Sequence, residues 1–191
     1  MVSSKTGRPR EFNRDSALRA ALELFWRHGY AATSLDDLTG AMGIGRSSFY
    51  GSFGSKHAVL LEVLEVYTSQ LLARMTAAVE SATDPRDAVL AILEIVACTI
   101  EPAHGCLFVN SVTELLPADP EVAELARRYL SEIDRQVAAL LHELGFSPAE
   151  SRKRGGAMLA LATGAITLRK AGQSPKRIQS MLNLLYSLLS Q

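Results

Sequence analysis

"SLDDLTGAMGIGRSSFYGSFGSK", residues Ser34–Lys56, places two short helical patterns on either side of a glycine-bounded turn. Ser34 can cap the first pattern, with Asp37 three residues on as its capping-box partner. Asp36 and Asp37 suit the positive end of that helix. The helix stops by Gly43. Ile44 and Gly45 turn the chain, Arg46 begins a second short helix, and Gly54 breaks it. Ser55 is then placed to cap a third, longer helix that starts at Lys56.

Upstream, Ala17, Leu18, Ala21, Leu24 and Phe25 recur with helical spacing across Arg14–His28, and Gly29 ends that helix. Two short helices around a tight turn, braced by a preceding helix, read as a helix-turn-helix. Arg46, Ser47 and Ser48 stand at the start of its second helix, where side chains meet base edges. Arginine can bond two guanine acceptors at once, and serine can donate or accept. Phe49 and Phe53 lie four apart, on one face, and are expected to anchor the helix on Phe25 and Leu38. Tyr50 lies off that face, where a phenol can reach a phosphate. Ser55 and Lys56 open the next helix, and Thr33 and Ser34 open the previous one. Free backbone N–H groups at such helix starts suit phosphate. The plainer reading is a core helical hairpin with incidental serines.

Beyond Lys56 the pattern stays helical. A long helix is expected from Lys56 to about Ala82, then one from Asp84-Pro85 to about Thr99. Residues 105–116 contain β-branched residues but have no second strand to pair with, so they read as a short helix ending at Pro117. Three further helices are expected over Pro120–Leu144, from Ser147-Pro148 to about Ala171, and from Ser174-Pro175 to Leu189. The fold class is therefore all-α, with nine helices.

Charge sharpens this division. Residues 1–57 carry eight Lys/Arg against five Asp/Glu, whereas residues 58–191 carry twelve against fifteen, and the whole chain sums to zero. A local basic face, not a basic protein, is the expected footprint of a nucleic-acid partner. Cys98 and Cys106 are the two cysteines, too few for a disulfide framework, and a cytoplasmic location follows as the expectation. The first fifteen residues lack the apolar run of a signal peptide, and no apolar run is long enough to span a membrane.

"FWRHGYAATSLDDL", "AMGIGRSSFY" and "FGSKHAVL" together resemble the N-terminal DNA-binding domain of the TetR family of transcriptional regulators, over about residues 8–67. The resemblance implies a DNA-binding domain over residues 1–57 and a ligand-binding and dimerisation domain over residues 58–191. It implies an all-helical homodimer that binds a palindromic double-stranded DNA operator, most often as a repressor, and that leaves it when a small-molecule effector binds. Position by position, Thr33, Ser34, Tyr50 and Lys56 match phosphate contacts, and Arg46, Ser47 and Ser48 match base-reading positions. "TGRPREF" (residues 6–12) is similar to the family's basic arm, here residues 5–11, from which Arg8 and Arg10 could enter the minor groove. Gly45 stands where the family commonly has a Ser or Thr cap, and Gly51 where a longer side chain is common.

Two features of the second region bear on assembly and sensing. The final helix carries an apolar stripe too wide for one buried face, and the helix before it is rich in Gly and Ala. Together they are expected to form a two-fold interface through Ala157, Leu161, Ala165, Met181, Leu182, Leu185 and Leu188. A sensing pocket is expected from Tyr67, Leu71, Met75, His104, Cys106, Phe108 and Asn110. His104 and Cys106 are too few ligands for a metal, and no cofactor motif or catalytic constellation is present. The competing reading is a thiol-dependent enzyme or redox sensor that uses Cys106 with His104 as its base.

Overall fold

The computed structural model describes residues 12–97 and 104–189, apart from the side chains of Tyr186 and Leu188. Arg8, Arg10 and Cys98 lie outside the described residues, as does the side chain of Leu188. The fold is all-α. The helices are α1 (Arg14–His28), α2 (Leu35–Met42), α3 (Arg46–Phe53), α4 (Lys56–Ser81), α5 (Pro85–Ala97), α6 (Leu107–Leu115), α7 (Pro120–Glu143), α8 (Pro148–Lys170), α9 (Pro175–Leu182) and α10 (Leu184–Leu188). Each of the nine helices expected from the sequence is found, and the last is interrupted at Asn183 to give α9 and α10.

Local chemistry sets the helix starts. The Asn13 side chain accepts from the backbone of Ser16 at α1, Asp119 accepts from Glu121 and Val122 at α7, and Ser147 and Ser174 cap the proline-led α8 and α9. Before α2, Ser34 and Asp37 form the full capping box. Cys106 stands at the N-cap of α6 without a side-chain cap bond.

The chain divides into two compact units, one ending at Val63 and the other beginning at Leu64, with the division inside α4. The first unit packs α1–α3 and the start of α4 around Phe25, Leu38, Phe49, Phe53 and Val59, all buried. Arg14 fastens it. Its guanidinium donates to both carboxylate oxygens of Glu62 at 2.7 Å and lies 4.4 Å over the Phe53 ring.

The second unit has α5, α7 and α8 packed against one another, with α6 on α7, and α9 and α10 on α8. The small residues of α8 serve two different faces. A Cβ at Gly155 would stand 3.2 Å from Val137 Cγ1, so that glycine lets α7 approach closely. Gly156 and Gly164 would meet nothing within 4 Å.

That geometry corrects part of the expected interface. Ala165, Leu182 and Leu185 are 1%, 8% and 3% exposed, covered by their own chain. The stripe looked too wide for one face because only part of it is buried. Asn183 keeps a right-handed helical conformation, and Ile178, Leu182, Leu185 and Leu189, spaced alternately four and three residues apart, are buried together along one helical face. Ala157, Leu161 and Leu184 are exposed, and Met181 is half-buried.

Candidate nucleic-acid interface and interior cavity

In the first unit, α2 ends at Gly43, whose φ of 67° is the left-handed conformation that favours glycine. Gly45 caps α3 with no side-chain bond, so the start of α3 is held from another direction. Arg46 donates through Nε and Nη2 to Asp36 Oδ1, at 3.0 and 2.7 Å, which ties α3 to α2 on the exposed surface. Behind α3, Phe49 and Phe53 are buried with Phe25 and Leu38, as their spacing required. In front, Arg46, Ser47, Ser48, Tyr50 and Gly51 are all exposed. The Tyr50 ring stands edge-on to Phe49, 5.6 Å between centroids, which fixes the phenol's stem while its tip points away from the core.

Three of the flanking residues are already engaged. Thr33 is 1% exposed, and its hydroxyl donates to the Gly29 carbonyl at 2.7 Å. Burial removes the Thr33 side chain from any surface a phosphate could touch, which corrects its expected role. Lys56 Nζ donates to the carbonyls of Tyr30 and Thr33 at 2.9 and 2.8 Å and lies 4.2 Å over the Tyr30 ring. It is therefore the clamp of the turn between α1 and α2. The hydroxyl of Ser34 donates to Asp37 and accepts from its backbone N–H. These bonds hold the Asp37 carboxyl below its ordinary range, the Ser34 side chain contributing most. Ser55 accepts from Ala58 N–H and so caps α4 as expected.

The second unit contains a cavity of about 130 Å³. Tyr67 and Leu71 of α4, Cys106 at the N-cap of α6 and Phe108 of α6 line it, four of the seven residues expected there. Met75 is fully buried elsewhere in the core. His104 and Asn110 hold the loop before α6 instead. Asn110 Nδ2 donates to the His104 carbonyl at 2.8 Å, and Lys170 Nζ donates to Asn110 Oδ1 at 3.0 Å. Their expected place in the pocket is corrected accordingly. The Tyr67 hydroxyl donates to Cys106 Sγ at 3.5 Å, so a phenol stands at hydrogen-bonding distance from the thiol. Burial raises the phenols of both Tyr67 and Tyr129 well above their ordinary values, and the neighbouring Cys106 adds to each shift. Both stay neutral donors across the physiological range. The Phe108 and Tyr129 rings meet edge-on at 4.6 Å between centroids and form one wall. No group of three or more potential metal ligands occurs among the described residues.

Residues 17–63 match the family described as bacterial regulatory proteins, tetR family. The HTH-type transcriptional repressor ComR of Escherichia coli K12 is 37% identical over 129 residues, which cover 64% of this chain and 60% of ComR. The HTH-type transcriptional regulator YezE of Bacillus subtilis 168 is 30% identical over 131 residues, 67% of this chain and 68% of YezE. The chain belongs to the TetR family. A cysteine mutant of the TetR-family regulator CifR, solved with 26-base-pair operator DNA, superposes with a TM-score of 0.72 at 25% identity, over 95% of this chain and 98% of that one.

TetR-family membership explains the contiguous half of the site more readily than the cavity. Arg74, Tyr129, Leu130, Ile133, Leu159, Thr163 and Ile166 also line the cavity and were not anticipated as lining. Arg74 follows Leu71 by one helical turn, a signal that was legible. Tyr129 and Ile133 were legible only as inward-facing residues of α7. No helix among the described residues is long and apolar enough to cross a membrane.

Proposed function

We propose that this protein is a transcriptional repressor that binds a palindromic operator as a homodimer and releases it when a small molecule fills the cavity. The single observation that carries the reading is the exposed row Arg46, Ser47, Ser48 and Tyr50 on a helix whose opposite face is buried. Such a helix presents donors in fixed register to a groove and cannot roll away from it. ComR is named a repressor, and CifR was solved on operator DNA, which supports assigning the same class of partner here.

In this reading Arg46, Ser47 and Ser48 meet base edges. Tyr50, Ser34, Ser55 and the free N–H groups at the starts of α2 and α4 meet phosphates. Thr33 and Lys56 act indirectly, by holding the turn that presents them. The two-fold contact runs through the exposed face of α8, with Ala157 and Leu161, and through Leu184. A ligand in the cavity acts on DNA only by favouring a different spacing of the two reader helices. Since α4 supplies both Lys56 and the cavity residues Tyr67 and Leu71, it is the element through which that bias passes.

Duplexes selected from a random pool by the purified protein, then titrated by fluorescence anisotropy, test the reading. Palindromic enrichment and a steep loss of affinity with salt are expected. A pool that stays random after repeated selection overturns it.

A further inference from the structure

We infer that the cavity takes a small hydrophobic carboxylate, with a single apolar ring or short chain inside and the acid group at Arg74. This rests on the proposed function and specifies the class of molecule that the site recognises.

Size comes first. A cavity of about 130 Å³ is close to the roughly 150 Å³ of an engineered apolar cavity that accommodates benzene. One ring or a chain of comparable bulk fills it, and a multi-ring body does not. The lining then sets the chemistry. Leu71, Phe108, Ile133 and Leu159 offer apolar surface, and Tyr67 and Tyr129 offer ring faces with neutral hydroxyls. A fully neutral hydrocarbon would satisfy such walls, but it would leave Arg74 unexplained.

Arg74 is the one charged residue of the lining, it is exposed at the edge, and no ion pair or hydrogen bond engages it among the described residues. Elsewhere in the second unit, Arg128 is paired with Glu65, Arg135 with Glu132 and Arg154 with Glu150. A guanidinium at the rim of an apolar cavity supplies a planar pair of donors for a carboxylate, whose charge then stays near solvent while its body is buried. The aromatic faces could also receive a cation. A cation, however, would meet Arg74 with no Asp or Glu in the lining to offset it. An anion with an apolar body fits both Arg74 and the apolar walls.

Isothermal titration of the full-length protein with 4-methylbenzoate and with its neutral isostere 4-methylbenzamide tests this, beside hexanoate and hexanamide. The acid of at least one pair is expected to bind about five- to tenfold more tightly than its amide. That preference is expected to shrink with added salt and to fall to about one in Arg74→Gln. Ile133→Trp, which fills the cavity, is expected to abolish binding of both. Equal binding of acid and amide, no binding of either acid, or a preference that survives Arg74→Gln overturns the inference. DNA release is scored separately. Release by the amides and not the acids leaves the repressor reading intact and removes the ligand class. Acid binding that obeys Arg74 but never releases operator keeps the ligand class and removes the effector role.

Discussion

The reader face and the cavity are built in opposite ways. The reader face comes from one stretch, Ser34–Lys56, in which each cap, turn glycine and anchor lies within a few residues of the group it positions. The cavity draws on α4, α5, α6, α7 and α8, from Tyr67 to Ile166 in sequence, and none of its neighbours along the chain says that a void lies there. A surface can be specified by local rules. A cavity is specified by where packing stops, which depends on every helix that approaches it.

The largest expected effect sharpens the first half of that comparison. Phe49 is fully buried beneath the exposed row. Phe49→Ala is expected to cost about 3–5 kcal/mol of the first unit's stability and to abolish operator binding. Urea unfolding read at Trp26, the chain's one tryptophan, measures it. A loss below about 1 kcal/mol would mean that the reader helix does not depend on its buried face.

Next comes Arg46→Ala, expected to relax discrimination at a single operator position by about 1–3 kcal/mol. Equal loss on operator and random duplexes would reassign Arg46 to phosphate. Lys56→Met follows. Because its ammonium is bonded to two carbonyls of the turn, the expected loss is about 1–2 kcal/mol of folding stability, with little change in the salt slope of DNA binding. A slope lower by about one unit with unchanged stability would return Lys56 to the phosphate backbone.

How much of this was legible follows from the same contrast. The capping box, the Gly43 turn, the Ser55 cap and the Phe49–Phe53 pair could all be read from spacing, because each is settled by contacts within one or two turns. The roles of Thr33 and Lys56 could not. Their partners are carbonyls of a loop whose path is set only once α1 packs on α2. The apolar stripe over Ile178–Leu189 was legible as apolar but not as two helices, since Asn183 is no obligatory breaker. Arg74 was readable from its spacing to Leu71, whereas Leu159 and Ile166 enter the cavity through packing between α8 and its neighbours.

A smaller effect on folding tests the outer face of α8. Leu161 is 39% exposed. Leu161→Glu is expected to change protomer stability by no more than about 0.5 kcal/mol while shifting the protein to monomers by light scattering. A variant that remains dimeric moves the two-fold contact off this face.

Smallest is the pH effect of the α2 cap. Asp37 has a folded-state pKa below its ordinary value of 3.8, so its contribution to stability is complete above that value. It is lost as pH falls through the lower folded value, when the carboxyl takes up its proton and releases Ser34. The acid transition of the first unit, followed at Trp26, is expected to flatten in Asp37→Asn. Superimposable transitions for the two proteins would remove the capping box from the account.

If Arg46 reads a base as proposed, its bond to Asp36 has a kinetic consequence. In the proposed role, the guanidinium would meet arbitrary DNA with two of its donors already bonded to Asp36, so a passing base would have to compete for them. At an operator, guanine would have to displace Asp36, and the carboxylate so released would have to turn away from the neighbouring phosphates. Arrival and recognition would then be separate events, the first governed by overall charge and the second by one exchange of partners. Removing the carboxylate would leave the reader permanently bare, quick to grip and slow to move on.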